Sequence, residues 1–271
     1  MTYLTASDLR AMGESLTKKD RNILITLGRL RYAKSDQLQR LFYPKTEDHP
    51  YASARATNRN LTRIKELHLI DHLPQRIGGI RAGSSGMVWF LTEQGNRFLA
   101  LGTGDEKKRK RFLEPSPMFL RHTIAVTETF VQIVDICRME PEMRLFALDA
   151  EPNCWRSYYR NSKEISLRPD LYVKTVTGKY YDHAFIEMDL ATESLSFILD
   201  KCRRYHEYYQ TGAEKVFPLV LWIVPDDDRK EKIITAMREV FRKSAPRLFH
   251  VITPEALHRV LKEGAPENEM H

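Results

Sequence analysis

Apolar residues recur with a helical period along the first part of the chain. In KKDRNILITLGRLRY, residues 18–32, Ile23, Leu24, Leu27 and Leu30 fall on one side of a helix. Ser35–Phe42 repeats the pattern with Leu38, Leu41 and Phe42 behind a Ser35 able to cap it, and Pro44 stops it. After the polar stretch KTEDHP, YASARATNRNLTRIKELHLI predicts a third helix whose Thr57, Leu61, Ile64 and Leu67 face a core. LIDHLP and MVWFLT then read as strands around the Gly-rich turn IGGIRAGSSG, with EQGNRFLALG as a short closing helix. Helix, helix, basic helix and β-hairpin, in that order, predict a winged helix-turn-helix over residues 1–102.

The segment LGTGDEKKRKRFLEPSPM mixes glycine, a basic run and two prolines, so residues 103–117 are expected to be a linker. Beyond it, FLRHTIAVTETFVQIVDIC predicts a largely buried helix, with Leu120, Ile124, Thr127, Val131 and Val134 along one side. Strand-like runs follow: MRLFALDA, the pair DLYVKTV and AFIEMDL about the TGK turn, and VFPLVLWIV. Between and after them lie the helices SLSFILDKCRRYHEYYQ and RKEKIITAMREVFRKS, then FHVIT and PEALHRVLKE. Residues 118–271 are therefore expected to form an α/β domain with a mixed sheet covered on both faces.

Charge sharpens the division. The whole chain of 271 residues carries a formal +7, yet residues 1–112 sum to +10 and residues 113–271 to −3. A cationic module joined to a mildly acidic one fits a phosphate-binding part beside a metal-binding or partner-binding part. Three cysteines, far apart and without C-x-x-C spacing, argue against disulfides and a zinc site, and suit a reducing cytoplasm. No apolar run approaches the roughly 20 residues of a membrane span, and the first twenty residues do not read as a signal peptide.

On the third helix Arg55, Arg59 and Arg63 recur every four residues, with Asn58 and Thr62 beside them. Arg and Asn can make bidentate contacts to guanine and adenine in a major groove, and Thr serves the backbone. Arg76 and Arg81, in the Gly-rich hairpin tip, would reach phosphates. The competing reading is a solvated helix whose arginines pair with Glu66 and other acids, or a winged helix that binds protein.

In FIEMDL, Glu187 and Asp189 are two apart and so share a strand face. Asp170 precedes the neighbouring strand, and the tight turn at Thr177–Lys179 returns the chain beside it. A hairpin can thus gather Asp170, Glu187 and Asp189 into an oxygen-rich site suited to Mg²⁺ or Mn²⁺. Glu128 could complete a metal shell or face solvent, and His122 and His183 are simpler as structural histidines. Tyr205, Tyr208 and Tyr209 could stack on bases, although helical spacing with Ile198 and Cys202 assigns Tyr205 and Tyr209 to a core. A tyrosine that joins covalently to DNA would need metal-binding histidines nearby, and the sequence has no His-rich cluster.

Pro169-Asp170 followed by an apolar strand carrying Glu187 resembles the core motif of the PD-(D/E)XK nuclease superfamily. That resemblance implies a restriction-endonuclease-like fold, with the acids holding a metal that activates water. The pattern wants Lys two positions after the Glu, where this chain has Asp189, so a substitute cation would have to be Lys201 on the next helix. The longer run RPDLYV, FIEMDLATES and DKCRRYHEYY, preceded by RHTIAVTE, resembles the replication-relaxation family of mobile genetic elements. Glu187, Asp189, Thr192, Glu193, Lys201 and Tyr205 fit its pattern. The resemblance implies a bacterial, DNA-binding protein of plasmid or integrative-element replication and DNA relaxation.

The reading is thus a cytoplasmic protein that docks on double-stranded DNA, with a degenerate nuclease-like domain and, as a dimer, paired half-sites. Its rivals are a Mg²⁺-dependent nickase or endonuclease and a scaffold that recruits replication proteins or regulates transcription. In the nickase, Asp170 and Glu187 are ligands, Asp189 a ligand or base, and Lys201 an electrostatic stabiliser.

Overall fold

The apolar stripes of the N-terminal helices close on one another: Ile23, Leu24 and Leu27 share a core with Leu38, Leu61, Ile64 and Trp89. The structure, a computed structural model, describes residues 5–44, 52–74, 86–103, 114–241 and 248–265. The chain divides into two compact units, residues 1–131 and 132–271.

In the first unit, α1 (Ala6–Ser15) and α2 (Lys18–Leu30) each begin with a capping box, Thr5 with Asp8 and Thr17 with Asp20. The two-residue β1 (Ala33–Lys34) leads into α3 (Ser35–Phe42), and α4 (Ala52–Glu66) follows. β2 (Ile70–His72) and β3 (Val88–Leu91) pair antiparallel, and β1 joins the other edge of β3, giving a three-stranded sheet ordered β1-β3-β2. α5 (Glu93–Thr103) closes the unit. Gly95 makes that closure possible: a Cβ there would stand 2.0 Å from the backbone oxygen of Leu69.

The helix α6 (Pro117–Met139) begins two residues before the expected start. Its Leu120 and Ile124 pack with Tyr32, Leu73, Val88 and Phe90 of the first unit, and Thr127 donates to the Tyr32 carbonyl at 2.8 Å. The boundary between the two units falls inside this helix.

The second unit is built on a five-stranded mixed sheet ordered β10-β9-β8-β7-β4. β7 (Leu171–Thr177) pairs antiparallel with β4 (Met143–Ala150) and with β8 (Tyr180–Met188), whereas β8, β9 (Leu219–Ile223) and β10 (Phe249–Ile252) are parallel. A separate hairpin of β5 (Arg156–Arg160) and β6 (Lys163–Leu167), not anticipated from the sequence, lies between β4 and β7 in the chain. α7 (Leu195–Gln210) and α8 (Asp227–Phe241) pack Ile198, Cys202, Tyr205, Ile233 and Met237 onto Phe185, Trp222 and Phe249, and α9 (Leu257–Glu263) follows β10. Burying that apolar surface, at about 25 cal/mol per Å², is the main force holding the helices to the sheet. Among the described residues, no helix is long and apolar enough to cross a membrane.

Candidate functional site

Two groups of side chains combine chemistry with position. The first is the basic face of α4. Leu61 and Ile64 are fully buried, which fixes the rotation of the helix and turns Arg55, Asn58, Arg59 and Thr62 outward, all exposed. These four follow i, i+3, i+4, i+7, so they form one stripe. No ion pair among the described residues engages Arg55 or Arg59. Arg63 behaves differently, because its Nη2 hydrogen-bonds Oδ2 of Asp20, a fully buried carboxylate on α2, and lies 3.1 Å from Asn60 Oδ1. Burial alone would raise the Asp20 carboxyl; Arg63 and Thr17 outweigh it and hold it below the ordinary value. Arg63 thus ties α4 to α2. Arg76 and Arg81 lie outside the described residues, as does the basic run Lys107–Arg111.

The second group surrounds the end of β8. The register β7–β8 sets Leu171 against Ile186, so Asp170 comes opposite Glu187. Asp170 takes a hydrogen bond from the Met188 backbone at 2.8 Å, and its own amide donates to the Ile186 carbonyl. Glu187 is buried beneath α7, where Lys201 Nζ donates to its Oε2 and Tyr205 OH to its Oε1, each at 2.5 Å. Burial pushes the Glu187 carboxyl up to about 7, against the pull of Lys201 and with the help of the Asp170 charge. Burial works against the Lys201 ammonium, but Glu187 and Asp170 hold its pKa above the usual lysine range. Tyr205 is raised well above the usual phenol by burial and by Glu187, so it serves as a donor.

Asp189 does not join this set in the same way. It is fully buried one residue past β8, accepting from Arg229 Nε at 2.6 Å and from the Ala191 amide at 3.0 Å. Arg229 Nη2 also donates to the Glu193 carbonyl at 2.7 Å, so one guanidinium pins the loop between β8 and α7. Arg229 was not picked out from the sequence; it lies 40 residues beyond its partner, and only the parallel β8–β9 crossover brings α8 alongside.

These donors do not fit a divalent cation as arranged. Both Glu187 oxygens already receive hydrogens, Asp189 is matched by Arg229, and among the described residues no three His, Cys, Asp or Glu side chains group to hold a metal. Beside these acids, Cys154 Sγ lies 3.0 Å from the Pro169 carbonyl, and burial and then Asp170 push its thiol up to about 12.

The remaining candidates have structural partners. Glu128 receives Gln37 Nε2 at 2.9 Å and pairs with Arg40, all within the first unit. His183 stands 3.1 Å from Tyr172 OH, and His122 is half-buried on α6. The tyrosine assignment needs correction at one place: Tyr205 and Tyr208 are buried, while Tyr209 is 44% exposed, since α7 turns its 198–202–205–208 side to the sheet.

No curated protein and no solved structure matches the chain. A family model described as replication-relaxation matches residues 24–220, which takes in α4, the strands β4 to β8 and the whole of α7. The chain therefore belongs to the replication-relaxation family.

Proposed function

We propose that this protein binds duplex DNA in the replication, relaxation or control of a plasmid or other mobile element, a role to which its family connects it. The observation that carries the proposal is the stripe of Arg55, Asn58, Arg59 and Thr62 on α4, held outward by Leu61 and Ile64. In this reading α2, α3, α4 and the β2–β3 hairpin are a winged helix-turn-helix. α4 enters the major groove, where Arg55, Asn58 and Arg59 meet base edges and the flanking phosphates. A homodimer would set two such helices on paired half-sites.

The second unit is, in the same reading, a restriction-endonuclease-like domain that has exchanged metal chemistry for internal cations. Lys201 and Arg229 compensate the carboxylates of Glu187 and Asp189, leaving the acids as anchors of the loop and of α7. The nickase reading has one observation in its favour, the meeting of Asp170, Glu187 and Lys201 at one strand end. Supercoiled plasmid incubated with the protein and Mg²⁺ or Mn²⁺ separates the two. Retarded but intact plasmid is the expected result; nicking that Glu187→Ala abolishes would replace this reading with the enzymatic one, and absence of binding would remove both. A scaffold for replication proteins would bind those partners without DNA.

A further inference from the structure

Near the turn that joins β7 to β8, the sheet of the second unit carries a small platform of aromatic and basic side chains. β4 is an edge strand, and its pairing with β7 shifts register between Leu145 and Ala147. A bulge of this kind re-aims one side chain, and here it turns Phe146 out to 65% exposure. Arg144, Val176 and Tyr181 form one row across β4, β7 and β8, and Ala147, Lys174 and His183 form the row two positions further along, past the Leu145, Thr175 and Asp182 row. Lys174 Nζ stands 5.0 Å from the Phe146 ring centre and 4.7 Å from that of Tyr181, itself 57% exposed. The two rings are 6.0 Å apart and inclined at 83°.

Large aromatic rings left in water are costly, and here they flank a lysine with the exposed Arg144 alongside. Two rings at nearly a right angle cannot both meet a stack of parallel base pairs. They can each receive one base of a strand whose bases are splayed, with Lys174 and Arg144 matching the charge of its phosphates. We infer that Phe146, Tyr181, Lys174 and Arg144 form a binding surface for single-stranded DNA, separate from the stripe on α4. The inference does not depend on α4 binding duplex.

The test is fluorescence anisotropy of a labelled twelve-residue oligothymidine with the full-length protein. Each ring is expected to stack one base, so Phe146→Ala with Tyr181→Ala should weaken oligothymidine binding by about thirtyfold or more. Phe146→Trp with Tyr181→Phe should retain it, and Lys174→Met should lower the salt slope by about 0.7. Affinity for a duplex should stay within about twofold in all three. No binding of oligothymidine by the natural protein, no loss in the alanine pair, or an equal loss for single strand and duplex would each overturn the inference.

Discussion

Arg229 on the first turn of α8 donates through Nε to Asp189 at 2.6 Å and through Nη2 to the Glu193 carbonyl, so one guanidinium bonds both ends of a loop. That loop includes Ala191 at φ 59° and delivers the chain into α7, which carries Lys201 and Tyr205. Removing one member of a buried pair strands the other's charge, at about 3–5 kcal/mol. Arg229→Ala should therefore lose that much in urea unfolding. Adding Asp189→Asn to it should recover a large part, and a loss under about 1 kcal/mol in Arg229→Ala would show that the pair is not what fixes the loop.

Glu187 makes stability depend on pH with a definite sign. Its carboxyl is pushed up to about 7 in the fold, above the ordinary 4.5, mainly by burial, so the native state holds this proton where the unfolded chain has lost it. The resulting stabilisation is complete below about pH 4.5 and is lost as pH rises through about 7, a change on the order of 3 kcal/mol. Glu187→Gln should flatten that part of the stability profile. An unchanged slope between pH 4.5 and 7 in the variant would assign the dependence to another group.

Arg63 and Arg59 sit four residues apart on α4 and should respond differently to truncation. Arg63→Ala leaves the buried Asp20 without its cation and, with Arg63 itself partly solvated, should cost about 1–3 kcal/mol in thermal or urea unfolding. Arg59→Ala removes an exposed side chain and should stay within about 0.5 kcal/mol. Equal effects on stability would contradict the division of labour along the helix.

Gly95→Ala should destabilise the first unit by about 1–3 kcal/mol, because the new methyl would overlap the Leu69 backbone oxygen, which cannot rotate away. Circular dichroism melting of the variant measures it; a wild-type melt would mean that α5 does not press this closely on the Leu69 backbone.

Much of the element order could be read from apolar spacing because long periodic segments announce themselves. Ile23 to Leu30, Leu38 to Phe42 and Leu61 with Ile64 all turned inward as spaced, except that Phe42 is only half-buried. α1 escaped notice because it buries only Leu9 and Gly13, too little for a pattern. The β5–β6 hairpin escaped because RSYYRNSKEISL is largely polar and offers the core Tyr158, Leu167 and a partly buried Ile165. At the acid site the residue types were visible, but their partners were not. Asp20 with Arg63 and Asp189 with Arg229 join residues 43 and 40 apart, and no local spacing encodes such pairs. Arg63 therefore looked like one more member of an outward row when its guanidinium is spent on a buried acid.

The most direct test of the α4 stripe is the salt dependence of duplex binding. Each phosphate contact contributes about 0.9 to the slope of log affinity against log salt for duplex DNA. Arg55→Ala with Arg59→Ala should lower that slope by up to about 2 and weaken binding while leaving the melting temperature in place. A slope and affinity equal to those of the natural protein would contradict the assignment of α4 as the DNA-contacting helix.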